Sequence, residues 1–240
     1  MTGQSKALRE SRTDGTVKAL TEWIIEHGLR SGDPLPSESE LCEELGIGRN
    51  SLREAVRTLR ATGVLEVRHG SGTFVGILSM QALSDELLFH SRLNSADSTS
   101  YLRYLSEVRE ALEQGFITNL ITEGLMPDVP RLSALLDQMD AEAQSGHIDA
   151  ETDRQFHEAL LAPLENPVAI MLLQVFWRVF DELLTPLDEP ALAAKSADRH
   201  HAILLAVKAA DARGARVAVR AHFEHLRHRL GMEETDPQAD

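Results

Sequence analysis

The sequence predicts a mainly α protein, with an N-terminal winged helix-turn-helix followed by an all-α bundle of six or seven helices. Three observations predict it. Residues 35–75 read as helix, tight turn, basic helix and hairpin. From about Leu78 to Leu230 the apolar spacing is helical, with little strand alternation. Breaks at Asn94 to Thr99, Gly124 to Pro130, Ser145 to Asp149, Pro163 to Pro167, Pro186 to Pro190 and Ala209 to Gly214 divide that second half into helices. The expected organisation is a mobile N-terminal arm over 1–15, a winged module over 16–76, a linker and first helix over 77–98, a helical domain over 99–230 and a tail over 231–240.

In the module, Val17, Leu20, Ile24 and Leu29 have the spacing of a first helix that ends between Gly28 and Gly32. Ser37 with Glu40 three residues on forms a capping box, and Pro36 keeps the preceding loop out of helix. A second helix therefore runs over about 37–45, stopped by Gly46 in the left-handed conformation that glycine tolerates. A third helix runs from about Arg49 to Thr62. Leu52, Ala55, Val56 and Leu59 form its apolar face, and Arg49, Arg53, Arg57 and Arg60 lie on an adjoining arc. Leu65 to Arg68 and Thr73 to Val75 read as two strands, joined by a turn at His69-Gly70-Ser71-Gly72 whose glycines supply the freedom of a turn tip. By itself the third helix could be a solvated charged helix, and the hairpin a plain stabilising ribbon. Together they have the layout of a module that lays one helix in the major groove of DNA.

The net charge of −14 argues against a nucleic-acid partner until it is divided along the chain. Residues 77–240 hold fourteen Lys and Arg against twenty-seven Asp and Glu, whereas residues 48–69 hold five arginines against two glutamates. The local field governs phosphate binding, so the acidic second half leaves a basic face on the first. Composition is that of a globular protein, with 42% hydrophobic and 26% charged residues. No apolar run approaches the roughly 18 residues of a membrane span. The polar N-terminus lacks a signal core, and the lone Cys42 leaves no intramolecular disulfide to form. The expected compartment is the reducing cytoplasm.

The stretch 16–76 resembles the GntR family of bacterial regulators in both residues and spacing. It carries Leu35-Pro36-Ser37-Glu38-Ser39-Glu40-Leu41, Gly46-Ile47-Gly48-Arg49-Asn50-Ser51-Leu52-Arg53-Glu54-Ala55-Val56 and His69-Gly70-Ser71-Gly72-Thr73-Phe74-Val75. The resemblance implies that Arg49, Asn50, Ser51 and Arg53 contact DNA from the third helix, with His69 and Gly70 at the wing. Arginine suits this role because its planar fork can meet guanine O6 and N7 together, or a phosphate. Two positions depart from the family pattern. Ser39 stands where an arginine is usual, and Gly48 stands where a serine or threonine cap is favoured.

In the second half, Asp153 and His157 are four residues apart and share one helix face. His200 lies ahead of the run Ala202-Ile203-Leu204-Leu205, and His222 lies on the last long helix. A carboxylate and three imidazoles converging from three helices would hold a borderline divalent ion such as zinc, nickel or manganese. Spacing alone favours reading these as ordinary surface or core helix residues, and His201, His225 and His228 compete for the same roles. This half resembles the FCD ligand domain of the FadR subgroup through Arg109-Glu110-Ala111-Leu112-Glu113, Asp153-Arg154-Gln155-Phe156-His157, His200-His201-Ala202-Ile203-Leu204 and Ala210-Asp211 ahead of His222. The resemblance implies a divalent metal, zinc first, on Asp153, His157, His200 and His222. It also implies a small carboxylate effector that reaches Arg109. Arg109 could instead form a surface i,i+4 ion pair with Glu113.

The function these features imply is a metabolite-responsive transcription regulator, most simply a repressor. It would act as a homodimer on a pseudo-palindromic double-stranded operator, with no membrane partner. Two other readings are the same regulator without metal, taking an acyl or other apolar effector, and a helical metallohydrolase fused to a DNA-binding domain. The second lacks a motif-supported general base, a nucleophile constellation and a phosphate-cradling loop.

Overall fold

The computed structural model describes residues 2–93, 98–184 and 190–232. They divide into two compact units, Met1–Ala82 and Leu83–Asp240. The expected breaks at Asn94 to Thr99 and Pro186 to Pro190, and most of the 231–240 tail, lie largely outside the described residues.

The first unit opens with α1 (Thr2–Glu26), then α2 (Glu38–Leu45), α3 (Arg49–Ala61), β1 (Leu65–Arg68) and β2 (Gly72–Val75). The stretch expected as an arm over 1–15 falls within α1, which starts at Thr2 and runs unbroken. Lys6, Ala7, Leu8, Arg9 and Glu10 all favour helix, and no proline intervenes before Val17. The capping box at the start of α2 forms as expected: Glu40 N donates to Ser37 Oγ, and Ser37 N donates to Glu40 Oε2 at 2.8 Å. Gly46 ends α2 at φ 63°. Leu20, Leu41, Leu52, Leu59 and Leu65 fill the core between α1, α2, α3 and β1. Trp23 joins them and donates from Nε1 to Glu44 Oε2 at 2.8 Å.

The strands pair antiparallel, Leu65 opposite Val75 and Arg68 opposite Gly72. The segment before α2 also pairs with β2, which the sequence reading did not foresee. Leu35 N donates to Thr73 O at 2.8 Å, Val75 N to Asp33 O at 2.9 Å and Gly32 N to Val75 O at 2.8 Å. Pro34 bridges Phe74 without needing an amide of its own, as an edge position allows. The wing closes at Gly76, whose amide donates to Val64 O at 2.8 Å. A Cβ there would lie 2.0 Å from Gly63 O. Backbone cannot yield as a side chain does, so Gly76→Ala is expected to cost about 3 kcal/mol. Thermal unfolding would show this against Gly48→Ala, where a Cβ meets nothing within 4 Å.

All but the first two residues of α4 (Gln81–Leu93), the helix expected within 77–98, belong to the second unit. Seven more follow: α5 (Ser98–Thr122), α6 (Val129–Gln144), α7 (Ala150–Leu161), α8 (Pro167–Leu183), α9 (Pro190–Lys208), α10 (Ala212–His222) and α11 (Glu224–Arg229). A 3-10 turn spans Ala162–Leu164. The breaks at 124–130, 145–149, 163–167 and 209–214 fall where punctuation placed them. Asp128, Asp149, Asn166 and Asp211 cap α6, α7, α8 and α10 through their side chains. Helix α10 packs on α9 and α5, and α6 packs on α9 and α7. Leu120, Leu132, Met139, Phe156, Leu173, Ile203, Val207, Ala215 and Val219 form the shared core. Among the described residues, no helix is long and apolar enough to cross a membrane.

Candidate functional site

Three helices of the second unit carry the four residues of the candidate site. Asp153 and His157 sit one turn apart on α7, His200 sits on α9 and His222 is the last residue of α10. Each offers one ligand atom, and these atoms all lie within 4.8 Å of one another. The imidazole centroids are 5.4 Å apart for His157 and His200, 5.0 Å for His157 and His222, and 4.5 Å for His200 and His222. Asp153 Oδ1 lies 2.9 Å from His200 Nε2 and 3.9 Å from His157 Nε2. Among the described residues, His157 Nε2, His200 Nε2 and His222 Nδ1 are buried without a well-directed hydrogen bond. Buried polar atoms rarely stay unpartnered. Three imidazole nitrogens and a carboxylate gathered this closely are a donor set suited to a borderline divalent ion.

The competing histidines resolve. His201, next to His200 in sequence, turns to the other side of α9, where its Nε2 meets Asp140 Oδ2 at 3.0 Å. His228 is exposed on α11, and His225 is not in the cluster.

Behind the cluster lies a second layer. Glu113 on α5 places Oε2 3.1 Å from His157 Nδ1, and its Oε1 accepts from Arg109 Nε at 2.7 Å. The pairing of Arg109 with Glu113 therefore exists, but not on the surface: the two side chains are 8% and 3% exposed. The ring of His200 is held from outside the cluster by Ser196 O, 2.8 Å from Nδ1. Burial by itself would raise the Glu113 carboxyl; the His157 ring and the Arg109 guanidinium outweigh it and bring it to about 2. Desolvation likewise pushes Asp153 up, but the close His200 nitrogen and the neighbouring imidazoles hold it well below the usual carboxylate range. Burial lowers His157, and Glu113 raises it by more, so that ring sits above its ordinary value. Burial and then the two other imidazoles push His222 well below its own. Strongly perturbed groups gathered in one interior are a mark of function. A buried ion pair supports that inference better than it supports stability.

Arg109 has more to offer than the pair. Its Nη2 is buried without a partner, as are Ser106 Oγ one turn earlier on α5 and Trp177 Nε1 on α8. The guanidinium carbon lies 5.2 Å from the Phe223 ring and 5.8 Å from the Trp177 ring. Sequence reading missed Ser106 and Trp177, because a serine or tryptophan on an amphipathic helix carries no signal of the polar atom it buries. It found Glu113 only as a surface partner of Arg109, since i,i+4 spacing is the same inside and outside.

The first unit presents the expected DNA-reading residues at its surface. Arg49, Asn50 and Arg53 are exposed on the first turn of α3, Ser51 is half-buried, and His69 and Gly70 are exposed at the hairpin tip. Arg53 Nε lies 3.0 Å from Glu38 Oε2. Arg49 Nη2 donates to Ser39 Oγ at 3.4 Å, so the serine at the departing position touches a predicted contact residue. Gly48 caps α3 with no side-chain bond.

Residues 12–75 match the family described as bacterial regulatory proteins, gntR family, and residues 104–225 match the FCD domain. The galactonate operon transcriptional repressor of Escherichia coli strain K12 is 27% identical, over 92% of this chain and 97% of its own length. The Glc operon transcriptional activator of the same strain is 29% identical, over 88% of this chain and 84% of its own. A solved structure described as Streptococcus agalactiae GntR has 28% identity and a TM-score of 0.70, covering 90% of this chain and 99% of that one. The winged helix-turn-helix, the all-helical second unit and these matches place the chain in the gntR family of transcription regulators, in the group whose second domain is an FCD domain.

Proposed function

We propose that this regulator senses a small hydroxycarboxylate through a divalent metal held by Asp153, His157, His200 and His222. The observation that carries the proposal is the convergence of these four ligand atoms within 4.8 Å, from three separate helices. Zinc suits three imidazoles and one carboxylate, with nickel or manganese as the alternatives. When bound, such an ion supplies a Lewis-acidic centre for an anionic oxygen. Arg109 supplies the second anchor. With Nε committed to Glu113 and Nη2 unpartnered, its guanidinium can pair with a carboxylate. Ser106 Oγ and Trp177 Nε1 add buried polar groups suited to hydroxyl oxygens. Galactonate, in the name of one relative, is a sugar acid of this chemistry.

In the first unit, Arg49, Asn50, Ser51 and Arg53 read the major groove, and His69 and Gly70 contact DNA from the wing. Two chains form a homodimer on a pseudo-palindromic operator in the cytoplasm. The effector shifts the population between conformations of different operator affinity, which requires that it bind them unequally. Repression relieved by the effector is the simplest form of this. An acyl effector without metal would leave the buried imidazole nitrogens unexplained.

The test is elemental mass spectrometry on untagged protein, wild type beside His200→Ala. About one divalent ion per wild-type chain, lost in the variant, is expected from four ligands at one point. No metal in either, even after incubation with zinc or nickel, would return the four residues to ordinary helix positions.

A further inference from the structure

We infer that Glu113 is the positioning residue that ties the metal ligands to the effector arginine, one carboxylate oxygen serving each. The inference rests on the metal reading above. Oε2 lies 3.1 Å from Nδ1 of His157, and Oε1 accepts from Nε of Arg109 at 2.7 Å. Glu113 is thus committed on both oxygens while being only 3% exposed.

Each contact constrains a group that faces the site. An imidazole that donates from Nδ1 must present Nε2 as its lone-pair nitrogen, and Nε2 of His157 is the atom left without a partner beside Asp153. The ring is thereby locked in the tautomer and rotation that a metal needs. On the other oxygen, Arg109 is held by Nε, which leaves Nη2 unpartnered. The effector anchor and a metal ligand therefore share one rigid carboxylate, carried on α5 and reaching His157 on α7. Displacement of Arg109 by a bound carboxylate is transmitted to His157 through a single side chain. A carboxylate buried without such a task is costly and is readily replaced by apolar packing.

Glu113→Gln separates this role from bulk. The amide has the same shape but replaces one oxygen with an NH2 donor, so it cannot accept at both the Arg109 and the His157 positions. Zinc would be titrated into full-length protein against a chromophoric chelator, in wild type, Glu113→Gln, His157→Ala and the double variant, with circular dichroism confirming the fold of each. Glu113→Gln is expected to weaken zinc binding about 10- to 100-fold, the usual effect of losing such a partner. On top of His157→Ala the same change is expected to add little, because Glu113 acts through that ring. Equal affinity in wild type and Glu113→Gln overturns the inference. So does an equal further loss in the His157→Ala background, which marks a general packing role. A wild type that binds no zinc overturns the metal reading itself, before any variant is compared. A measurement that needs no variant is nitrogen-15 imidazole NMR of the zinc-loaded wild type. Metal on His157 Nε2 with a proton on Nδ1 is expected, and metal on Nδ1 overturns the inference.

Discussion

If the proposed metal is bound, adding a chelator to the full-length protein is expected to lower the Tm of the helical unit by roughly 10 °C. A ligand present at about 1,000 times its Kd stabilises the state that binds it by about 4 kcal/mol. In a domain of this size each kcal/mol moves Tm by about 2–4 °C. The effect should be large here because the four proposed ligand groups come from three separate helices, α7, α9 and α10, which a bound ion would tie together. Calorimetry resolves the result, since the winged unit should unfold at the same temperature with or without chelator. Zinc should restore the lost degrees and magnesium should not, because imidazole nitrogens are poor partners for a hard cation. His200→Ala should be insensitive to chelator from the outset. A wild-type Tm that ignores both chelator and zinc would remove the centre from the account of stability and sensing together.

Arg53→Ala is expected to weaken operator binding by about 1–3 kcal/mol and to relax discrimination at the base pair it meets. Arg57→Ala, further along α3 and paired with Glu54 at 2.7 Å, is expected to weaken all sequences alike and by less. Arg53 starts in an ion pair with Glu38 at 3.0 Å, both side chains at least half exposed. Exposed pairs of this kind contribute little, so exchanging Glu38 for DNA costs the domain almost nothing. Fluorescence anisotropy on matched and scrambled operators at several salt concentrations separates the two arginines. Unchanged affinity and discrimination in Arg53→Ala would move the reading surface off the start of α3. Arg49, which donates to Ser39, would be the next residue to substitute.

Much of the first unit was legible because its determinants are local. The Ser37 and Glu40 box, the glycine at 46 and the spacing of Leu52, Ala55 and Leu59 each act within a few residues, and each was found where it was read. What escaped were contacts between distant segments: the strand pairing of Gly32 to Leu35 with β2, hidden by Pro34, and the close approach of Gly76 to Gly63. That α1 extends over residues 2–15 escaped for the opposite reason. Residues 2–15 have helix propensity but no apolar stripe, and the reading relied on the stripe.

The second unit divides the same way. Punctuation marked its helix ends, and the four-residue step from Asp153 to His157 put two candidate ligand groups on one face before any packing was known. His200 and His201 show the limit. Neighbours on a helix point about 100° apart, and only the packing of α9 against α6 and α10 turns one inward and the other toward Asp140. The same holds for Arg109 and Glu113, whose spacing is equally that of a surface pair. The sequence by itself determined the fold class, the two-part organisation and the residue types able to hold DNA and metal, because periodicity, caps and turn chemistry act over a few residues. Tertiary structure alone decided which imidazoles meet, that the arginine–glutamate pair is buried behind them, and which polar atoms are left to face a ligand. Those depend on helices far apart in the chain closing on one another, and local spacing does not encode that.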